Sequence, residues 1–539
     1  MTDVEPGSNM AAHEPKNYLG FDFSTQQVKA IVVNEGLEVL QEALVQFDND
    51  LPEYRTHGGV HVRGDGVTVT APTIMWVKAL DMLMDKLRVA GADFSTVAAI
   101  SGTGQQHGSV YWRTGASKTL LEVQPDRFLH EQLAMAFSIT DSPVWMDSST
   151  STQCQALEEV VGGPQKLANI TGSRAYERFT GSQIAKIYKT RKEAYSNTER
   201  ISLVSSFACS LFLGSYAPID FADGSGMNLL DLNTKTWSQA CLDACAPGLA
   251  EKLGKPVPAS EKLGSVSSYF VERYSFNPDC AVIAFTGDNP ASLAGMCVGS
   301  GDVVVSLGTS DTLFLWLDIP TPQLEGHVLV NPVDSTAYMA LLWLVYYLLI
   351  YQILIICYFM YSTVYILFSE EIFFDIIPGI YYYMREITPN LEGVFRYNKA
   401  DDLVSRFTSR EVEVRALVEG QLIAKRVYAE KLGFNIGSGT RVLATGGASN
   451  NNSVLQVLAD VFNSPVYTMA VANSACLGSA YRAKHGLVGG KFQEVIKKRD
   501  FKLVCKPNSD ADKVYTPLVE RYLHLESSLL ATKNNIPSI

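Results

Sequence analysis

The chain has 539 residues, more than a single hydrophobic core serves, so two large lobes or three to four ordinary domains are expected. Hydrophobic residues at 47% and charged residues at 19%, with Gly and Pro near their usual abundance, describe a folding globular chain and exclude a small disulfide module or a low-complexity protein. A formal net charge of −12 repels nucleic-acid phosphates and anionic lipid, which leaves small-molecule chemistry as the default.

Residues 1–16 are polar, lack the basic flank and apolar run of a signal peptide, and are expected to form a disordered tail. The nine cysteines are scattered without a Cys-x-x-Cys pair, so neither a disulfide framework nor a zinc knuckle is expected, and a reduced, cytoplasmic compartment fits best.

Tyr18 to Asn34 reads as strand, polar turn and strand, with Asp22, Ser24 and Thr25 at the turn. Val97 to Ser101 is a second strand that runs into the polar loop Gly102-Thr-Gly-Gln-Gln-His-Gly and emerges as Ser109 to Trp112. His107 lies in that loop among hydrogen-bonding side chains; such a row suits a polyhydroxylated ligand, although a lone histidine is more often structural. Asp147 ends an apolar run and reads equally as a turn residue or as a metal- or sugar-facing carboxylate. Helical patterns follow at Thr152–Val161 and Gly181–Lys192, and between them Arg178 either binds hydroxyls or pairs with Glu177.

The second half restarts the pattern. Cys280 to Phe285 is a buried-type strand that ends in Thr286-Gly-Asp-Asn-Pro, before a small-residue helix at Ala291–Cys297. A carboxylate at the carboxyl end of such a strand faces the ligand crevice of an α/β sheet, so Asp288 can take a proton from a substrate hydroxyl; the alternative is a helix cap. Asp302 to Leu307, Gly308-Thr-Ser-Asp and Thr312 to Leu317 repeat the opening hairpin, which suggests a duplication joined between Gly264 and Asn277. Gly and hydroxyl residues at such turns leave backbone amides free to face a phosphate, whereas G-x-x-x-x-G-K-[ST] does not occur and a P-loop is excluded. Ser335 to Ser369 carries no charge over about 35 positions, where a membrane helix needs about 20. Glu411–Lys431 reads as a long amphipathic helix, Val442–Thr445 as a strand entering Gly446-Gly-Ala-Ser-Asn, and Ser453–Phe462 as a helix before the strand Val466–Thr468. Gly446 and Gly447 are either a close approach of backbone to ligand or a tight turn.

Eight segments, in order, resemble the FGGY carbohydrate kinase family: Gly20-Phe-Asp-Phe-Ser-Thr-Gln-Gln, Gly104-Gln-Gln-His-Gly-Ser, Trp145-Met-Asp-Ser-Ser-Thr, Gly172-Ser-Arg-Ala-Tyr-Glu-Arg-Phe-Thr-Gly, Asp223-Gly-Ser-Gly-Met-Asn, Phe285-Thr-Gly-Asp-Asn-Pro-Ala-Ser, Ser306-Leu-Gly-Thr-Ser-Asp-Thr and Ala444-Thr-Gly-Gly-Ala-Ser. The resemblance is strongest to animal-type members acting on D-xylulose. It implies an α/β fold of two ribonuclease H-like, actin-like lobes with the active site in the cleft, a sugar-binding lobe at 17–275 and a nucleotide-binding lobe at 276–530. It also implies transfer of the γ-phosphoryl of ATP, with Mg2+, to the 5-hydroxyl of this ketopentose. By the same resemblance Asp288 is the general base, and His107, Arg178 and Asn289 hold the sugar. Asp22 lies near magnesium, Thr25, Gly308 and Thr309 beside the phosphates, and Gly446, Gly447 and Asn450 against the nucleotide. Another FGGY kinase acting on ribulose or glycerol is the alternative within the family. The stretch 343–385 departs from the family pattern; it reads as a membrane span, as a buried insertion or, the reading preferred here, as translated non-coding sequence, in which case a sugar-binding protein impaired in catalysis is the further alternative.

Overall fold

The computed structural model describes residues 16–307, 311–344, 379–382, 391–407, 409–437, 439–469, 473–497 and 501–534. Its layering follows from the alternation along β1 (Asn17–Phe23): Leu19, Phe21 and Phe23 enter one core, while Tyr18 belongs to another on the opposite face. Ser24 N–H donates to the Gln27 carbonyl at 3.0 Å and turns the chain into β2 (Gln27–Val33), and β3 (Val39–Gln46) completes an antiparallel meander. β4 (Val97–Gly104) runs parallel to β1, and β5 (Lys262–Ser265) pairs antiparallel with β6 (Ala281–Ile283). β6 and the short β7 (Thr286–Gly287) both lie parallel to β4, so the sheet order is β5-β6-β4-β1-β2-β3 with β7 beside β4.

A second seven-stranded sheet repeats this arrangement. β8 (Asp302–Ser306), β9 (Asp311–Leu317), β10 (His327–Val330), β11 (Tyr338–Leu344), β12 (Arg441–Thr445), β13 (Val466–Thr468) and β14 (Lys502–Cys505) stand in the order β10-β11-β9-β8-β12-β13-β14. The pairs β8/β9 and β9/β11 are antiparallel, β8/β12 and β12/β13 parallel, and β13/β14 antiparallel, the same sequence of directions found from β3 across to β5 in the first sheet. The expected duplication is therefore visible as two copies of one strand pattern, the α/β architecture of two ribonuclease H-like lobes.

Two helices occupy the space between the sheets: α1 (Asp288–Gly295) and α2 (Ser474–Val488). They contribute Leu293, Ala294, Cys476, Ala480 and Ala483 to a core that also takes Tyr18 and Ile31 from the first sheet and Val304, Phe314 and Leu443 from the second. Their crossing is so close that a Cβ on Gly478 would lie 1.8 Å from the Ala291 carbonyl oxygen. On the first sheet, a Cβ on Gly20 would lie 2.3 Å from the Cys476 carbonyl, so β1 and α2 touch backbone to backbone.

Three expectations are corrected. The strand expected to open the second lobe, Cys280 to Phe285, supplies β6 of the first sheet, so a boundary at 275/276 cuts that sheet. The aromatic stretch before it is no linker: Tyr269, Phe270, Tyr274 and Phe276 fill the core of the first lobe. Second, α2 is encoded far into the 276–530 segment but packs on the first sheet, where Arg482 donates to the Ala259 and Ala284 carbonyls at 2.6 Å each. Third, the helix expected at 291–297 begins at Asp288, because Gly287 takes the extended N-cap position and Pro290 fits the first turn. Of segment 343–385, residues 343 and 344 end β11 and Gly379–Tyr382 form a strand paired with Gly393–Tyr397; the remainder lies outside the described residues. No helix among the described residues is long and apolar enough to cross a membrane.

Candidate active site

β4 and β7 end side by side, with Thr103 opposite Thr286 and Gly104 opposite Gly287. Two parallel strands stopping together leave a crevice at their carboxyl ends, and the next residues of each chain segment line it. From β7 comes Asp288, the first residue of α1, whose Oδ1 accepts from the Asn289 backbone N–H at 2.8 Å and from Asn289 Nδ2 at 3.1 Å. From β4 comes Gln106, whose Oε1 accepts from Asn289 Nδ2 at 2.7 Å, so one amide ties the two strand ends together. Burial, and secondarily the carboxylate of Asp22, push the Asp288 carboxyl up to about 7.

More carboxylates stand behind it. Asp223 is buried and held well above the usual carboxylate range by desolvation and by Asp220; its Oδ2 accepts from Ser205 Oγ at 2.5 Å. Asp220 accepts from Thr286 Oγ1 at 2.8 Å, and its carboxyl, raised to about 6 by burial, is opposed by the charge of Arg482. Asp22, at the end of β1, is likewise raised by burial, with Lys29 acting against it, and its Oδ1 is buried without a hydrogen-bond partner among the described residues.

Above the carboxylates sits a cationic and aromatic wall. His107 adopts φ +68°, stacks on Phe179 with ring centroids 4.4 Å apart, and lies 2.8 Å through Nδ1 from the Gly226 carbonyl. A carbonyl only accepts, so Nδ1 carries the proton and Nε2 is left as an acceptor. Burial and the Arg178 guanidinium push the imidazole down to about 3, which keeps it neutral. Arg178 spans the ring of Tyr176 at 5.4 Å and approaches His327 Nε2 at 3.4 Å. Trp145 Nε1 donates to Thr25 Oγ1 at 2.8 Å and fixes that hydroxyl. Thr25, Gln106, His107, Trp145, Arg178, Asp288, Asn289, His327 and Leu341 together enclose a cavity of about 180 Å³, the scale of a small polyhydroxylated molecule.

Of the residues singled out from the sequence, Asp288, Asn289, His107, Arg178 and Thr25 share this cavity, with Asp22 behind it. Gly446, Gly447 and Asn450 do not line it. They sit beyond β12 in the second sheet, where Gly446 has φ +87° and the adjoining Ala448 N–H donates to the Leu307 carbonyl at 3.0 Å, next to the turn of the β8–β9 hairpin. Gly308 and Thr309 of that turn lie outside the described residues. Asp147 proves to be a turn residue: it accepts from Val69 N–H, Ser149 N–H and Gln183 Nε2, all at 2.7–3.0 Å, and is not among the residues that line this cavity. Neither Asp288 nor Asn289 caps α1 by its side chain.

His327 and Leu341 were not legible. They come from β10 and β11, short apolar strands without a motif, and reach the cavity because the edge of the second sheet docks on the first half of the chain: Val328 N–H donates to the Gly172 carbonyl at 2.9 Å and Val330 N–H to Ser225 Oγ at 3.1 Å. Gln106 and Trp145 stand inside recognisable segments, but only the fold shows that they face the ligand space.

A carboxyl titrating near neutrality beside a neutral imidazole, a guanidinium and an amide can bind several hydroxyl groups and remove a proton from one of them. Comparison with known proteins agrees with that chemistry. The profile of the FGGY family of carbohydrate kinases, N-terminal domain, matches residues 138–295, and that of its C-terminal domain matches residues 382–487. The chain is 56% identical over 522 residues to xylulose kinase of Rattus norvegicus, covering 95% of this chain and 97% of that protein. It is 46% identical to xylulose kinase 2 of Arabidopsis thaliana, over 88% of each chain. In fold it is similar to a xylulose kinase structure from Rhodospirillum rubrum, with a TM-score of 0.77 at 15% identity over 96% of this chain and 99% of that one. It is also similar to glycerol kinase of Plasmodium falciparum with ADP, with a TM-score of 0.73 at 14% identity over 97% and 99%.

Proposed function

The chain belongs to the FGGY family of carbohydrate kinases, and from that membership we propose that it transfers the γ-phosphoryl group of ATP to the 5-hydroxyl of D-xylulose, giving D-xylulose 5-phosphate and ADP. The observation that carries the reading is the convergence of Asp288, Asn289, His107 and Arg178 on one cavity at the carboxyl ends of β4 and β7. The ketopentose is supported by the relatives named xylulose kinase, which align with nearly the whole chain.

In this mechanism Asp288 accepts the hydroxyl proton as the oxygen attacks phosphorus, and ADP leaves with the electron pair of the broken P–O bond. A carboxyl with a pKa near 7 suits a general base, being half-ionised at neutral pH yet basic enough to take the proton. His107 Nε2 accepts from a sugar hydroxyl, Arg178 and Asn289 donate, and the buried walls exclude water that would otherwise receive the phosphoryl group. Asp22 fits a magnesium ion, because a buried carboxylate oxygen without a partner, close to a second carboxylate, favours a cation; Mg2+ when bound would neutralise phosphate charge. Thr25 and the Gly308–Thr309 turn would face the phosphates, and Gly446, Gly447 and Asn450 the nucleotide. A cytoplasmic location accords with such metabolic chemistry.

The test is ADP formation by the purified chain with D-xylulose, D-ribulose and glycerol, together with calorimetric sugar binding. Turnover highest with D-xylulose is expected. Preference for another acceptor would overturn the assigned sugar, and sugar binding without turnover would overturn the assigned catalysis.

A further inference from the structure

We propose that His327 is a positioning residue for sugar recognition: supplied by the second sheet, it accepts a hydrogen bond from the Arg178 guanidinium and fixes the face that Arg178 turns to the cavity. The proposal rests on the assignment of Arg178 as a sugar ligand. Arginine is a donor only, so at 3.4 Å His327 Nε2 must be the acceptor. The ring proton is then on Nδ1, which points at Ser173 Oγ at 3.1 Å, so both nitrogens have partners of the right kind.

The ring is held from several sides. Tyr176 meets it edge-on at 4.7 Å, Phe179 packs at 5.0 Å, and His107 stands 6.5 Å away at 69°, so the two imidazoles and the guanidinium form one buried group along the cavity wall. Burial and the charge of Arg178 keep His327 well below the ordinary histidine range, as an acceptor must be. The backbone beneath it is anchored, since Val328 and Val330 are bonded to Gly172 and Ser225 of the other half of the chain. The side chain that aims Arg178 therefore belongs to the opposite lobe, and the sugar pocket is incomplete without the edge of the second sheet.

The experiment uses the full chain and the KM values for D-xylulose and ATP, with calorimetric D-xylulose binding as a readout independent of turnover. His327→Leu should raise the sugar KM about tenfold and leave the ATP KM within about twofold, the loss expected for one hydrogen bond to a charged group. His327→Gln, whose amide oxygen can accept from Arg178, should restore most of the loss, whereas the shorter His327→Asn should not; these two carry the test if His327→Leu does not fold. In an Arg178→Ala background, His327→Leu should add less than about twofold, because the residues act as a unit. Additive losses, equal losses in both KM values, or an unchanged sugar KM in His327→Leu while Arg178→Ala raises it would overturn the proposal alone. An unchanged sugar KM in Arg178→Ala would overturn the assignment of Arg178 and the proposal with it.

Discussion

Asp288→Asn separates the electrostatic cost of the site from its chemistry, because the substitution keeps the shape of the side chain and removes its charge. The folded protein pushes this carboxyl from 3.8 to about 7. At about 1.4 kcal/mol for each tenfold change in proton affinity, that rise means the ionised side chain opposes folding by ~4 kcal/mol. Asp288 retains partial exposure to the cavity, so solvent screening reduces the working figure to ~2 kcal/mol. The sign follows from proton counting: between the unfolded value near 4 and the folded value near 7 the native state holds the proton and the unfolded chain does not. Stability of the parent therefore falls as pH rises through that window and levels off above it. Asn does not titrate, so the advantage of the variant over the parent should widen by about 1–2 kcal/mol between pH 5 and pH 8. Urea unfolding followed by tryptophan fluorescence, without ligands, measures it. The same preparations should lose ~10²–10⁴ in kcat for ADP formation with D-xylulose. A stability difference equal at both pH values would refute the burial argument, and a kcat within tenfold of the parent would remove Asp288 from the role of base.

Two further substitutions probe how the lobes are joined. Arg482→Met leaves the buried Asp220 without its opposing charge and should cost about 3–5 kcal/mol, more at pH 8 than at pH 5.5 because Asp220 then titrates above its present value of about 6; an equal loss at both pH values would refute charge compensation. Gly478→Ala places a Cβ 1.8 Å from a backbone oxygen of the neighbouring helix and should lower stability by about 3 kcal/mol, read as a fall in Tm, whereas an unchanged Tm would refute the close crossing.

The local elements were legible where a single segment carries its own pattern. The hairpins 17–33 and 302–317, the helix Arg410–Lys431 and the strand Arg441–Thr445 appear within a residue or two of expectation, because alternation and helical periodicity are local properties. The four residues expected around the sugar also share a cavity: Asp288 and His107 follow strands that end at polar loops, whereas Arg178, between two helices, and Asn289 were indicated by the family resemblance and not by local pattern. What escaped was long-range. β6 reads like an opening strand but joins a sheet begun more than 250 residues earlier, as its pairing with β4 requires both ends of the first lobe. α2 looks like any small-residue helix, and nothing local indicates that Gly478 packs against α1 or that Cys476 reaches β1 at the start of the chain. His327 is one polar residue in a strand of valine and leucine, and only the docking of β10 on Gly172 brings it to Arg178.

The passage of α2 across the first sheet bears on how the protein is made. Cys476 Sγ reaches the Gly20 carbonyl at 3.3 Å across 456 positions of sequence, and Arg482 finds its partners on β4 and beside β6. A nascent chain thus exposes one face of its first sheet, with Asp220 lacking its counter-charge, until the ribosome has translated past residue 488. The N-terminal half alone lacks the helix that covers this face of its sheet, and complete assembly waits on contacts of very high sequence separation, the regime of slow folding and exposed intermediates. A polypeptide truncated before α2 would leave one face of the first sheet uncovered, although every strand of that sheet had already been synthesised.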